Sequence, residues 1–256
     1  MSLFSIFLPH CIQRLSTRVR ISTKKTYNGG LFIADFFAMP HGCSVWPAYW
    51  SVGPNWPSAG TFLPSLYHVV CSLFSTGEID ILEGVHNQPT NQYTLHTSEG
   101  CEIGADFNEM SASSNIIHAQ CASSGNDNRG CGFLDTDPQT YGKEFNLLAG
   151  GVFAHLWDST GIRVWRFLRP SIPADITAKT PDPSTWGTPA AFFPSTNCDI
   201  ASHFFEHSLV LDTTICGDFA GPTYAGSGCP GTCEQAVANN NNFKCEYMPH
   251  LLPNSC

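Results

Sequence analysis

Three carboxylates fall within one short run, Gly77-Glu78-Ile79-Asp80-Ile81-Leu82-Glu83-Gly84. Ile and Leu between the acids give the pattern of a strand with one apolar and one polar face. Strand side chains alternate, so Glu78 and Asp80 share a face, and Glu83 in a regular strand would point the other way. A β-bulge between Asp80 and Glu83 takes up one residue and returns Glu83 to the carboxylate face. Three like charges on one surface raise at least one pKa, which leaves one acid and one base or nucleophile. A carboxylate pair in that condition is what glycoside hydrolysis uses. The residue types alone leave two other readings open. One is an acidic, solvated strand edge. The other is a Ca²⁺ or Mg²⁺ site, ranked lower because no Asp/Asn/Gly loop of ligand spacing surrounds the run. No metal and no cofactor is expected.

The rest of the chain must supply the sheet that carries this strand. Its 256 residues suffice for one large domain with a core. Charged residues make up 13%, against 22 Gly and 18 Pro, which favours short strands and turns over amphipathic helices. The formal charge of −9 argues against nucleic acid and anionic membrane surfaces as partners. No apolar run reaches the length of a membrane span. Twelve cysteines without a paired C-x₂-C pattern read as disulfides formed in an oxidising compartment.

Taken in order, Val19–Ile21 and Leu31–Ala38 are β-rich, with a turn at Asn28-Gly29-Gly30. Trp46, Trp50 and Trp56 follow. Aromatic faces stack on sugar rings, and Trp46 and Trp50, four apart on a strand, share a face; either could also be core. Tyr93–Ser98 reads as a strand, with His96 either a cleft residue or a structural histidine. Residues 100–141 read as a long loop pinned by Cys101, Cys121 and Cys131. Val152–Trp157 and Ile162–Leu168 form a hairpin around Asp158-Ser159-Thr160-Gly161. A Pro-rich loop over 170–194 contains Trp186, and Phe205–Cys216 alternates as another strand.

Several of these stretches together resemble glycoside hydrolase family 16. Gly77–Gly84 looks like its active-site signature, and Gly42-Cys43-Ser44-Val45-Trp46-Pro47-Ala48-Tyr49-Trp50 is similar to the approach strand of its fungal laminarinase branch. Thr94-Leu95-His96-Thr97, Trp186-Gly187-Thr188-Pro189, Cys198-Asp199-Ile200, Cys216-Gly217-Asp218-Phe219-Ala220-Gly221 and Gly228-Cys229-Pro230-Gly231-Thr232-Cys233 resemble further family motifs, in family order. The resemblance implies an all-β fold, a two-sheet antiparallel β-sandwich of the concanavalin-like jelly-roll type with a concave substrate cleft. It implies endo-hydrolysis of β-1,3 or mixed β-1,3/1,4-glucan by retaining double displacement. Glu78 would be the nucleophile and Glu83 the acid/base, with Asp80 between them. Trp46, Trp50, His96, Trp186, Asp218 and Phe219 would line the cleft, Phe219 standing where the family pattern usually carries Trp. The implied partner is a β-glucan polysaccharide; the implied state is a secreted, extracellular monomer. Alternatives are a glucan transglycosylase acting through the same intermediate, a non-catalytic β-glucan-binding module, or an inactive mis-spliced product.

The last alternative comes from three departures within what reads as a single domain over 1–256. Family-like sequence covers about 18–60 and 77–242. Residues 1–17 resemble neither the family's opening strands nor a convincing signal peptide. The apolar stretch 61–77 reads as an in-frame retained intron, with a genuine loop insertion as the other possibility. Residues 243–256, with two prolines, are a poor closing strand. Eight cysteines lie in family-like sequence and can form a complete framework, though spacing does not fix their pairing; Cys11, Cys71, Cys245 and Cys256 lie in the departures.

Overall fold

The computed structural model describes residues 18–57, 76–124 and 127–239. The readings made for 1–17, for 61–75 and for 243–256, with Cys11, Cys71, Cys245 and Cys256, lie outside the described residues.

Eleven strands are described: β1 Arg18–Ser22, β2 Gly30–Phe36, β3 Val45–Val52, β4 Glu78–Glu83, β5 Gln92–His96, β6 Asn115–His118, β7 Cys131–Leu134, β8 Gly151–Asp158, β9 Gly161–Leu168, β10 Ala191–Pro194 and β11 Ser208–Ile215. They form two antiparallel sheets, β1-β11-β3-β4-β5-β7-β6 and β10-β9-β8-β2. The sheets pack face to face. Tyr49, Ile79, Ile81, Tyr93, Leu95 and Phe133 of the larger sheet meet Phe153, Trp157, Ile162, Val164 and Phe193 of the smaller one. Burying each such side chain contributes about 1.5–3 kcal/mol before conformational entropy is subtracted. The expected two-sheet sandwich is therefore the observed fold.

The period-2 pattern works most directly in the hairpin β8–β9, whose two-residue connection Ser159-Thr160 matches the expected turn. It is least visible over 100–141. That region was expected to be a loop but contains β6 and β7, which extend the larger sheet past β5. Both strands have only four residues, too few for alternation to register, and Gly132 and Cys131 carry little β signal.

The eight family-like cysteines pair as Cys43–Cys229, Cys101–Cys198, Cys121–Cys131 and Cys216–Cys233. The last closes residues 216–233 into a loop, and the first fastens that loop to Cys43, just before β3 in the sheet that carries the acids. Thr76 and Gly77, at the end of the departing stretch, are fully built in. The Thr76 hydroxyl donates to the Pro54 carbonyl at 2.8 Å, and the Gly77 N–H donates to the His203 carbonyl. A Cβ on Gly77 would lie 2.6 Å from the His96 carbonyl oxygen, which explains glycine directly before Glu78. No described helix is long and apolar enough to cross a membrane.

Candidate active site

Strand β4 lies in the middle of the larger sheet, between β3 and β5. Glu78 pairs with Val52 and His96, and Asp80 with Trp50 and Thr94. The register then shifts, and Glu83 pairs with Ala48 and Gln92. This is the bulge expected from the spacing. It brings all three acids to one face while Ile79 and Ile81 stay fully buried in the core. Trp46, Trp50 and His96 share the acid face by register, as does Asp212 of β11, opposite Ala48. Arg20 of β1 lies opposite Asp212.

The acids are deeply set, with Asp80 3% and Glu83 8% exposed. Burial pushes the Glu78 carboxyl up to about 8, and the neighbouring Glu83 and Asp212 add to this; Arg20 and a hydrogen bond from the Trp56 indole pull it down. Burial likewise raises Glu83 to about 7, against the pull of the Trp46 indole N–H, which donates to Glu83 Oε1 at 3.0 Å. Asp80 is held well above the usual carboxylate range by burial and then by Glu78, Glu83 and Asp212. The three titrate as one unit, and protons leave in steps that belong to the cluster.

His96 stands beside this trio. Its Nε2 lies 3.5 Å from Asp80 Oδ2, its Nδ1 is 2.8 Å from Ser123 Oγ, and burial lowers its pKa to about 4, so it is neutral. Single atoms of Glu78, Asp80 and His96 all lie within 4.8 Å of one another. Two carboxylates and an imidazole make a donor set that a divalent cation can share.

Trp50 is gripped from two sides. Its indole N–H donates to Asp212 Oδ1 at 3.3 Å, and the Arg20 guanidinium sits 4.5 Å over its ring. Phe219, on the short helix Gly217–Thr223, meets Trp46 edge-on at 5.8 Å, so it stands at the Glu83 end of the acid face. Asp218, one residue earlier, is exposed. Trp186 is elsewhere. It packs edge-on against Trp165 and Phe167 on the outer face of the smaller sheet, and its indole N–H donates to Asp175 at 2.7 Å. This corrects the expectation that Trp186 lines the cleft: the Pro-rich loop folds back over the outer sheet face and uses the indole as its own core.

Sequence reasoning did not single out Arg20, Asp212 or Asn91. The period-2 reading of 205–216 could have flagged Asp212 as a carboxylate on a strand face; nothing local marked the other two. A cavity of about 600 Å³, lined in part by Val85, His86, Pro222 and Thr223, opens just beyond Glu83. A larger one, about 810 Å³, lies beside the Cys101–Cys198 bridge and touches none of the acids.

Comparison with known proteins gives the family. The family described as "XgeA-like, catalytic GH16 domain" matches residues 11–62 and 64–248. A "probable glycosidase" of Schizosaccharomyces pombe is 39% identical over 231 residues, 90% of this chain and 51% of that protein. A "probable endo-1,3(4)-beta-glucanase" of Aspergillus clavatus is 41% identical over 213 residues, 83% of this chain and 30% of that one. The chain therefore spans about half or less of these relatives. Among solved structures, the GH16 laminarinase 16A of Phanerochaete chrysosporium, with β-glucans in its donor and acceptor sites, superposes with a TM-score of 0.76 at 36% identity, covering 87% of this chain and 70% of that one.

Proposed function

The chain belongs to glycoside hydrolase family 16, and from that premise we propose that it cleaves β-1,3 or mixed β-1,3/1,4-glucan internally by retaining double displacement. The observation that carries the reading is the bulged β4 strand. It sets half-buried Glu78 and buried Asp80 and Glu83 on one face with raised proton affinities, flanked by Trp46 and Trp50.

Glu78 attacks the anomeric carbon as Glu83 gives its proton to the departing glycosidic oxygen; the C–O bond to the leaving chain breaks and a glycosyl ester forms on Glu78. Glu83, now ionised, takes a proton from water, whose oxygen attacks the same carbon and releases Glu78. Asp80 sits between them. Held above the usual carboxylate range, it keeps its own proton and orients Glu78, while burial and the Asp212 carboxylate help keep the proton on Glu83 before attack. These roles follow each acid's position in the run. They do not follow the order of the two glutamate pKa values, of which Glu78 has the higher. Passing the ester to a sugar acceptor would give transglycosylation on the same machinery. The relatives named as endo-1,3(4)-beta-glucanase support water as the acceptor.

His96, Trp46, Trp50 and Phe219 are the candidates for holding glucan, by their place on or beside the acid face. Four disulfides support folding in an oxidising compartment, and so a secreted enzyme. The test is reducing-sugar release from laminarin by the purified chain, with Glu78→Gln and Glu83→Gln beside it. Release by the unaltered chain and loss in both variants is expected. Release that survives Glu78→Gln would remove the proposed nucleophile.

A further inference from the structure

We infer that Asn91 is a positioning residue for Glu83, its amide clamping the β4 bulge; this rests on the acid/base reading of Glu83 above. Asp80 pairs with Thr94 and Glu83 with Gln92, so Ile81 and Leu82 together face the single residue Tyr93. A bulge of this kind takes backbone groups out of the ladder. Asn91 supplies the replacement. Its Nδ2 donates to the Ile81 carbonyl at 2.9 Å, and its Oδ1 accepts from the Glu83 N–H at 3.0 Å. Turning the amide over would set donor against donor and acceptor against acceptor, so the pairing fixes its orientation.

The fit is specific to asparagine. Asn91 is fully buried. An ionised Asp has no donor, Ser and Thr offer a single oxygen, Leu offers nothing, and Gln is one methylene too long. The clamp is itself held. The Asn91 N–H donates to Thr140 Oγ1 at 3.0 Å, and its carbonyl accepts from the Asp135 N–H at 2.9 Å. On the far side of Glu83, a Cβ on Gly84 would lie 2.5 Å from the Tyr141 ring, so the chain leaves the acid through a slot only glycine passes. Glu83 is thus fixed through its backbone by Asn91 and through its carboxylate by Trp46. The titratable and charged groups around the amide are Glu83, Tyr93, Asp135, Tyr141 and Arg166.

In the first step, a misplaced acid matters only where the leaving group needs a proton. The experiment therefore compares laminarin with a 2,4-dinitrophenyl β-laminaribioside, whose leaving group departs unprotonated. For Asn91→Ala, kcat on laminarin should fall ~10²-fold, with the first step on the dinitrophenyl substrate nearly unchanged. For Asn91→Asp, the laminarin defect should shrink at acidic pH, where the neutral carboxylic acid again offers a donor and an acceptor, and widen as pH rises. Equal slowing on both substrates, or a defect in Asn91→Asp that does not change with pH, would make Asn91 merely structural and overturn the inference. Loss of laminarin cleavage by the unaltered chain, or its survival in Glu83→Gln, would instead overturn the acid/base reading on which the inference rests.

Discussion

Asp80 and Asp135 are both almost wholly buried, 3% exposed, in the same sandwich, and they are treated in opposite ways. Asp135 is surrounded by donors. The Tyr93 hydroxyl reaches it at 2.7 Å, Arg166 at 3.0 and 3.2 Å, and the Asp137 N–H at 3.0 Å. Asp80 has Oδ2 without a hydrogen-bond partner among the described residues, and its neighbours Glu78, Glu83 and Asp212 repel its charge. A buried carboxylate with matched donors holds structure together; one left among like charges weakens it. Among the described residues the second kind is kept at the strand that carries the proposed chemistry, and Asn91, hydrogen-bonded to both regions, joins the two.

The largest effect expected from this contrast is on activity. Glu83→Gln should lower laminarin cleavage by at least ~10³-fold, within the range for removing a general acid, while the melting temperature stays level or rises because a strained ionisable group is gone. Activity assays and thermal melts on the same preparation check both halves. Asp135→Ala should do the reverse. Losing Asp135 leaves Arg166 only the Asp137 carboxylate, 3.2 Å away, and costs about 2–4 kcal/mol, below the figure for a fully buried pair because Arg166 keeps that second partner and some solvent. Urea unfolding should register that loss, while activity per folded molecule changes little.

The pH dependence of stability separates the regions further. The glutamates of β4 have folded pKa values above their unfolded ones, so the folded state holds protons that the unfolded state has released. Their contribution is fully favourable below about 4.5, the ordinary glutamate value, and is lost as pH rises toward about 7–8. His155 and His207, buried and lowered to about 3, act in the opposite sense: their neutral forms stabilise above the ordinary histidine range, and that is lost on acidification. Comparing the chain with Glu78→Gln isolates the acids. The melting-temperature advantage of the variant should grow from pH 5 to pH 8; an advantage constant over that range would contradict the shift. The smallest effect is expected of Trp46→Phe. Removing the indole N–H takes a hydrogen bond from ionised Glu83, so its pKa should rise. The alkaline limb of the laminarin pH–rate profile should move upward by less than about one unit.

The sequence made the acid face legible because a two-residue period broken at one point has a single simple repair, the bulge, and the residues E-x-D-x-x-E state where it falls. The hairpin β8–β9 was legible for the same reason, with eight alternating residues on each side. Trp186 was misplaced because a tryptophan in a Pro-rich loop carries no period, so nothing local says which sheet face the loop will cover. The disulfide pairing needed the fold, since Cys43 and Cys229 are 186 residues apart. Asn91 was invisible for a subtler reason. Between Pro89 and the strand it reads as a turn residue, and its role appears only when the bulge that it fills is in place.

The most direct test of the central claim, that Glu78 attacks and Glu83 transfers the proton, is azide rescue of two variants on the dinitrophenyl glycoside, with the anomeric configuration of the product read by NMR. Glu78→Ala leaves room for azide on the nucleophile's face and should yield the α-glycosyl azide. Glu83→Ala still forms the ester, and azide entering from the opposite face should yield the β-glycosyl azide. The two configurations exchanged, or rescue of neither variant while the unaltered chain is active, would contradict the assignment.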